Sequence, residues 1–269
     1  MSKYTERATM SLHKMVHEMH RKGIELPRIT KCATQLLMIG ITPNSIPKAV
    51  VEECICFQHS DGGWVSVVDT MWNAKFLSFF PNTDLMIERA IKYLQSNRVE
   101  LGYGRSARDM GRIPVTGMAF YLLPQLADQE SLAWLENLWK SELNSLTYKA
   151  AYTLMAFNKN DYMPQDDKLI KQTIHWLISQ QEDDGGYAPW KNHPVKSNVY
   201  CTAVATIGLL KYIDQYPEAK PTIDRAYDYI CRTQLINGIW PYHELEDGGA
   251  WGLAALSAVE FWRETNENQ

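Results

Sequence analysis

The chain has little of what marks a disulfide-stapled or membrane-spanning protein. Its five cysteines are Cys32, Cys54, Cys56, Cys201 and Cys231. Their number is odd and no Cys-x-x-Cys pair occurs, which favours reduced thiols over a disulfide framework. No apolar run reaches the length of a membrane span. The first seven residues are polar and lack the apolar core of a signal peptide. These absences predict a cytoplasmic protein with no transmembrane segment.

Charge of either sign is also modest. Over 269 residues the formal net charge is only −4, so neither nucleic acid nor an anionic surface is the expected main partner. Aromatic residues, in contrast, are plentiful, with 9 tryptophans and 14 tyrosines. Such side chains bury large apolar areas and also line ligand cavities. The composition therefore fits a globular protein with a large core and room for an apolar ligand.

A repeated motif organises the chain. The pattern Gln, three residues, Gly, one residue, aromatic occurs at residues 58–64, 181–187 and 234–240, and a degraded copy runs over 95–103. The steps from residue 58 to 95 and from 181 to 234 are 37 and 53 residues, which are lengths of helical-hairpin repeats. Each copy follows an amphipathic helical pattern, and its glycine supplies the positive φ that ends a helix. A more apolar helix then begins.

This alternation predicts two sets of helices. The apolar, inner set is expected near 29–40, 69–80, 115–126, 145–157, 197–212 and 249–263. The amphipathic, outer set is expected near 5–22, 46–58, 84–96, 129–142, 166–181 and 220–234. Six inner and six outer helices make an all-α (α/α)6 toroid. No linker composition interrupts the chain, so a single domain over 1–269 is expected.

The Gln-x-x-x-Gly-x-Trp repeat resembles the signature of squalene and oxidosqualene cyclases, and its Gly-Gly-aromatic turns are similar to those of protein prenyltransferase β-subunits. The resemblance implies an α/α toroid whose substrate occupies a central cavity. It implies no more than a structural role for Gln58, Gln181 and Gln234, whose amides can satisfy backbone groups left free at helix ends.

The same resemblance suggests an acid. Class II terpene cyclases carry Asp-x-Asp-Asp-Thr at a helix start, where a carboxylic acid protonates an alkene or epoxide. Here only Asp69 and Thr70 match, since Ser66 and Val68 occupy the positions of the other two carboxylates. Asp69 is therefore a candidate catalytic acid, and the alternative is a helix N-cap. His243, before the last inner helix, is a second candidate acid or base, or a rim histidine that bonds its neighbours.

The zinc site of prenyltransferases is not matched. That family places Asp-x-Cys-Tyr on an inner helix, and the nearest segment here, residues 197–200, reads Ser-Asn-Val-Tyr. Because catalytic zinc needs about three protein ligands, neither a metal nor another cofactor is expected.

Basic residues cluster in loops that precede inner helices. Because the inner helices all run the same way, these loops should meet at one end of the ring, where helix N-termini also favour anions. The candidates for binding a diphosphate-like group are Arg105, Arg108, Arg112, Lys149, Lys191, His193 and Lys196. The aromatic residues expected to line the cavity beneath them are Trp72, Tyr152, Tyr200 and Trp251. The alternative is a set of solvated loops with local ion pairs.

Together these patterns predict a biosynthetic enzyme that cyclises or rearranges an apolar, isoprenoid-type small molecule. Two alternatives remain open. One is a transferase-like enzyme that holds an anionic substrate at a basic rim, and the other is a non-catalytic toroid that binds a lipid or a protein. Full-length class II cyclases add a second helical domain, so a homodimer or another partner could cover the open rim here.

Overall fold

Twelve α-helices alternate between two concentric layers in the computed structural model, which describes residues 1–106, 108–242 and 244–266. The inner helices are α2 (Leu26–Met38), α4 (Val67–Leu77), α6 (Ile113–Leu122), α8 (Thr147–Lys159), α10 (Val199–Leu210) and α12 (Leu245–Asn266). The outer helices are α1 (Lys3–Arg21), α3 (Lys48–Cys56), α5 (Asp84–Ser96), α7 (Gln129–Ser141), α9 (Leu169–Ser179) and α11 (Lys220–Thr233).

The inner helices form a closed ring. Each contacts the next in chain order, and α12 packs back against α2. Helix α10 shows why these segments lie inside, because nearly every residue from Val199 to Leu209 is apolar or small and is buried. The outer helices bury one face only. The predicted all-α (α/α)6 toroid is confirmed, with one difference that affects the site: the last inner helix begins at Leu245 rather than at residue 249.

The glutamine of each repeat joins one turn to the next outer helix. The side-chain amide of Gln181 donates to the carbonyl oxygen of Gly185 in its own turn at 2.9 Å and to that of Thr222 in the first turn of α11 at 2.8 Å. Gln58 makes the same two bonds, to Gly62 and to Met86 of α5. The carbonyl groups that these turns leave free are therefore satisfied by one side chain.

The third copy closes the ring between the two ends of the described chain. Gln234 donates to Gly238 at 3.0 Å and to the carbonyl oxygen of Tyr4, on α1, at 2.9 Å. A buried carboxylate reinforces this closure. Glu260 of α12 accepts hydrogen bonds from the Ser2 amide and hydroxyl, from the Thr5 hydroxyl and from the Tyr227 hydroxyl, at 2.6–2.9 Å.

Glycine is required at the centre of each turn. Gly185 has φ +80°, and a Cβ there would lie 2.6 Å from the carbonyl oxygen of Arg225. Gly238 has φ +84°, and its Cβ would lie equally close to the carbonyl oxygen of Arg7. A side chain at either position would combine backbone strain with a steric clash against the next outer helix.

We expect Gln181→Leu to lower the free energy of unfolding by about 2 kcal/mol, because two carbonyl groups would lose their buried donor. Urea denaturation measures the change. Gln172→Leu on the exposed face of α9, the outer helix that precedes Gln181, is the matched control and should change stability by less than about 0.5 kcal/mol. Equal effects of the two substitutions would contradict the role assigned to Gln181.

Because Glu260 helps to close the ring, the free energy of unfolding should depend on pH. Burial alone would raise the pKa of Glu260, but the hydrogen bonds from Ser2, Thr5 and Tyr227 outweigh it and hold the pKa below its ordinary value. A lowered native pKa stabilises the fold above the ordinary value of about 4.3, and this contribution is lost as the pH falls through the native pKa. We expect Glu260→Gln to cost about 2–4 kcal/mol at pH 7 and progressively less below pH ~4.

Urea denaturation at pH values between these two measures the free energy of unfolding of the unmodified protein and of Glu260→Gln. The exposed Glu130→Gln is the control, and its stability should follow that of the unmodified protein at every pH. A Glu260→Gln penalty that stays constant as the pH falls would show that the carboxylate charge does not contribute.

Candidate functional site

A cavity of about 1050 Å³ opens at one end of the ring. Because the inner helices run parallel, the loops that lead into them all emerge at this end, called the mouth below. The volume of the cavity is at the upper limit of typical small-molecule sites. The cavity is lined by Lys31, Ser66, Val68, Trp72, Arg105, Arg112, Ile113, Pro114, Val115, Met118, Glu142, Leu146, Tyr148, Lys149, Tyr152, Pro189, Val195, Asn198, Tyr200, Cys201, Tyr242, Glu244, Asp247 and Trp251.

Four aromatic side chains form a continuous wall in this cavity, called the aromatic wall below. Trp251 lies at its centre, edge-on to three other rings with centroid distances of 6.1 Å to Trp72, 5.8 Å to Tyr152 and 6.3 Å to Tyr200. All four were predicted from the sequence to face the cavity, and the structure places them together. Edge-to-face packing of this kind is a favoured arrangement of aromatic pairs, and it fixes the positions of the rings.

The polar atoms of the wall are mostly paired with one another. The hydroxyl groups of Tyr152 and Tyr200 are 3.1 Å apart and share a hydrogen bond. Burial raises the pKa of both hydroxyls, so both stay neutral at physiological pH. The indole N–H of Trp72 is buried and has no acceptor within the described residues. A ligand oxygen beside Trp72 would therefore gain a hydrogen bond that the protein alone leaves unmade.

An ion pair stands beside the wall. The ammonium group of Lys31, on α2, lies 2.5 Å from a carboxylate oxygen of Asp247, in the first turn of α12. The two side chains are only 20% and 16% exposed. The Lys31 ammonium also lies 5.8 Å from the ring centroid of Trp72, within the range of a cation–π interaction.

A positive edge lies on the α6 side of the mouth. Arg105 and Arg112 line the cavity, and within the described part of the chain neither guanidinium has an ion-pair partner. Both residues are exposed at the mouth. Lys149 also lines the cavity, but its ammonium is bound to Glu142. Arg105 and Arg112 therefore provide the two lining cations best placed to receive an anionic group.

The structure brings only three of the seven predicted basic residues, Arg105, Arg112 and Lys149, to the cavity, so the predicted convergence is wrong for the other four. Lys191 is turned away and donates to the carbonyl oxygen of Ser179, while His193 packs edge-on against Trp190 at 4.0 Å. Lys196 and Arg108 are exposed and lie outside the cavity lining. The cause is local backbone geometry, since Lys196 has φ +61°. His243 lies outside the described residues.

Asp69 has a different setting from that suggested by the sequence. The N-cap of α4 is Ser66, whose hydroxyl accepts from the Asp69 amide at 3.1 Å and donates to the Asp69 carboxylate at 2.7 Å. The Asp69 side chain lines a second cavity beside the central one, and it is absent from the central lining among the described residues. Its neighbour Val68 occupies the central position instead.

Sequence reasoning missed Lys31, Asp247, Tyr148 and Tyr242, which all line the cavity. Asp247 precedes residue 249, where the sequence predicts the start of the last inner helix. Asp69 is a candidate through its resemblance to the Asp-x-Asp-Asp-Thr motif, and no such motif surrounds Asp247. Lys31 is one of two cations in α2, the other being Arg28, and most residues around it are buried. A cation in such a segment indicates either a solvated edge or a buried ion pair.

Comparison with known proteins agrees with this geometry. Lanosterol synthase from Pneumocystis carinii is 24% identical to this chain over 251 residues, which cover 84% of the chain and 34% of the synthase. A type II terpene cyclase from Scytonema has the same fold, with a TM-score of 0.73 over 96% of this chain and 99% of the cyclase, at 13% identity. The chain is a terpenoid cyclase-like α/α toroid.

Other solved toroids are less similar. A protein from Actinoplanes matches with a TM-score of 0.60 over 86% of this chain and 89% of its own, at 12% identity. A possible member of the GH105 family from Klebsiella pneumoniae matches with a TM-score of 0.58 over 89% and 81%, at 9% identity. No protein-family model matches the chain. The toroid spans about a third of the lanosterol synthase that it resembles.

Metal-binding clusters and membrane-spanning helices are both absent from the described residues. The described residues contain no cluster of three or more histidine, cysteine, aspartate or glutamate side chains arranged to hold a metal ion. None of their helices is long and apolar enough to cross a membrane.

Proposed function

We propose that this toroid is a terpenoid cyclase-like enzyme that cyclises or rearranges an isoprenoid-type amphiphile with an anionic head in the central cavity. The observation that carries the proposal is the combination of the aromatic wall with Arg105 and Arg112 at one edge of the same cavity. The wall suits an apolar body, and the two guanidinium groups suit an anionic head.

The wall also suits the chemistry. Cyclisation of an alkene chain passes through carbocations, which the faces of Trp and Tyr rings stabilise electrostatically. Trp72, Tyr152 and Trp251 are each 2% exposed, so water has little access to a cation formed against them. The cavity would thus shield a reactive intermediate from water, while the aromatic rings stabilise its positive charge.

The named neighbour supports the choice of head group. The Scytonema cyclase was solved with geranylgeranyl dihydroxybenzoate as its substrate. That molecule joins a polyisoprenoid chain to an aromatic acid, so it is an anionic amphiphile. In the present protein such a head would bind at Arg105 and Arg112, with its chain directed across the aromatic wall.

Asp247 is the residue to which we assign acid–base chemistry. Its carboxylate lies at the aromatic wall, beside Lys31 and Trp72. A cyclisation that begins with protonation of an alkene releases one proton at its end, so one carboxyl group can carry out both transfers. Protonated after Lys31 turns away, Asp247 would donate the first proton to the alkene, and the carboxylate so formed would take up the proton that leaves at the end. Asp69 faces the second cavity and is given no catalytic role in this proposal.

A second candidate function is binding of an isoprenoid lipid without turnover. The observation in its favour is that Glu142 and Asp247 each accept a hydrogen bond from a lysine, which leaves neither free to donate a proton. The two functions are separated by incubating the protein with geranylgeranyl dihydroxybenzoate and analysing the products by mass spectrometry. Binding without any new product would favour the lipid-binding role.

Removing the positive edge should weaken binding of anionic amphiphiles. We expect Arg105→Ala and Arg112→Ala each to weaken binding of geranylgeranyl dihydroxybenzoate by about tenfold, since each removes a charge-assisted contact. Isothermal titration calorimetry measures the affinity. The melting temperature should hardly change, because both side chains are exposed.

Two controls sharpen this test. Arg108→Ala, in the same loop but outside the cavity, should bind as the unmodified protein does. Geranylgeraniol, which has the chain but no charge, should bind equally well to all variants. An equal loss of affinity in Arg108→Ala would show that only the overall charge of the loop matters.

The catalytic assignment rests on a pair of matched substitutions. We expect Asp247→Asn to reduce product formation by at least about 100-fold, because the amide cannot accept the proton. Asp69→Asn is the same substitution at a residue outside the central cavity. This variant should retain activity within about threefold. Full activity of Asp247→Asn, or loss of activity confined to Asp69→Asn, would reverse the assignment.

A further inference from the structure

A second cavity of about 920 Å³ adjoins the central one. It lies between the starts of α2 and α4 and beside the start of α12. Its lining residues are Glu25, Leu26, Pro27, Arg28, Lys31, Cys56, Phe57, Gln58, His59, Trp64, Val65, Asp69 and Glu244. Lys31 and Glu244 line both cavities, so these two residues belong to the boundary between them.

A close ionic contact lies at this boundary. Lys31 reaches from α2 to Asp247 on α12, and their charged groups are 2.5 Å apart. Helices α2 and α12 are neighbours at the point where the ring closes. The Lys31–Asp247 pair therefore spans the space between these helices at the level of the aromatic wall.

The pair lies on the far side of the cavity from the positive edge. In the closed ring α6 is opposite α12, and Arg112 directly precedes α6. An amphiphile with its head at Arg105 and Arg112 would therefore extend across Trp251 and end at Lys31 and Asp247. A longer chain would meet the ion pair before it could extend further.

We infer that the Lys31–Asp247 pair is a partition that limits the length of the bound chain, and that the second cavity is a compartment for the far end of longer apolar chains. The inference rests on the proposed function, since it takes the central cavity as the binding site. The second cavity can receive an apolar end because Leu26, Phe57, Trp64 and Val65 contribute to its lining. Phe57 and Val65 are 58% and 77% exposed, so a chain bound there would cover apolar surface.

Lys31 also has alternative partners on the other side of the partition. Asp69 and Glu244 line the second cavity together with Lys31. A lysine side chain is long and flexible, so its ammonium can turn from Asp247 toward Asp69 in the second cavity. The partition can thus open while Lys31 keeps an acidic neighbour, and Asp247 is then left without its lysine.

The test uses two double variants of the whole chain and a series of monoalkyl phosphates. Lys31→Ala with Asp247→Ala removes the partition, whereas Lys31→Met with Asp247→Leu keeps its bulk and removes only its charges. Calorimetry gives the affinity for chains of about eight to about twenty carbons, where each buried methylene strengthens binding by up to about fourfold. Circular dichroism and thermal melting show whether each variant is folded.

In the unmodified protein we expect affinity to rise with chain length and then level off where the chain reaches the ion pair. In the alanine variant the rise should continue through at least about four further carbons, whereas the methionine–leucine variant should level off where the unmodified protein does. The same plateau in all three proteins would overturn the inference and leave the proposed function intact. Absence of binding by the unmodified protein at every length would refute both.

Should the alanine variant fail to fold, Lys31→Ala alone provides the second measurement. Its truncated side chain opens the same boundary while Asp247 stays in place, and thermal melting shows whether this variant is folded. A plateau shifted to longer chains supports the partition, and an unshifted plateau counts against it.

Discussion

The fold depends on how its turns satisfy their backbone carbonyl groups. A buried carbonyl group that lacks a donor is costly. In three turns the glutamine amide donates to the glycine carbonyl of its own turn and also to a carbonyl in the first turn of the next outer helix. Each such bond fixes the position of one helical hairpin relative to the next. Because each hairpin is fixed relative to the next, the last hairpin lies beside the first, and Gln234 bonds α1 there.

The location of the site follows from that constraint. Once the hairpins are set side by side, every inner helix has the same direction and every loop that leads into one reaches the mouth. Residues far apart in sequence, such as Lys31 and Asp247, can then meet across the closure of the ring. The apolar inner helices supply the aromatic wall below, and the loops supply charges above. An amphiphilic site is thus a consequence of the topology, while its specificity depends on individual side chains.

The sequence predicted the ring because the repeat combines three independent signals: helix periodicity, a left-handed glycine and a glutamine at a fixed distance. It also predicted the members of the aromatic wall, since large residues in the first turns of inner helices have few other places to lie. It failed for the second basic loop because side-chain direction there depends on backbone torsions, and Asn192 and Lys196 both have φ near +60°. It missed Asp247 because a helix boundary was placed a few residues too late.

The polar groups that have no partner in the protein determine how the site orients a ligand. At the mouth, Arg105 and Arg112 remain exposed and without an ion-pair partner among the described residues. Deeper in, the tyrosine hydroxyls satisfy each other and Lys31 satisfies Asp247. Only groups whose bonds are unmade can select a ligand, because a satisfied group loses as much as it gains when a ligand replaces its partner. The charge requirement of a ligand is therefore set at the mouth, and its shape is set by the rings below. Trp72, whose buried indole N–H has no acceptor in the described chain, adds one directional contact near the far end of the aromatic wall.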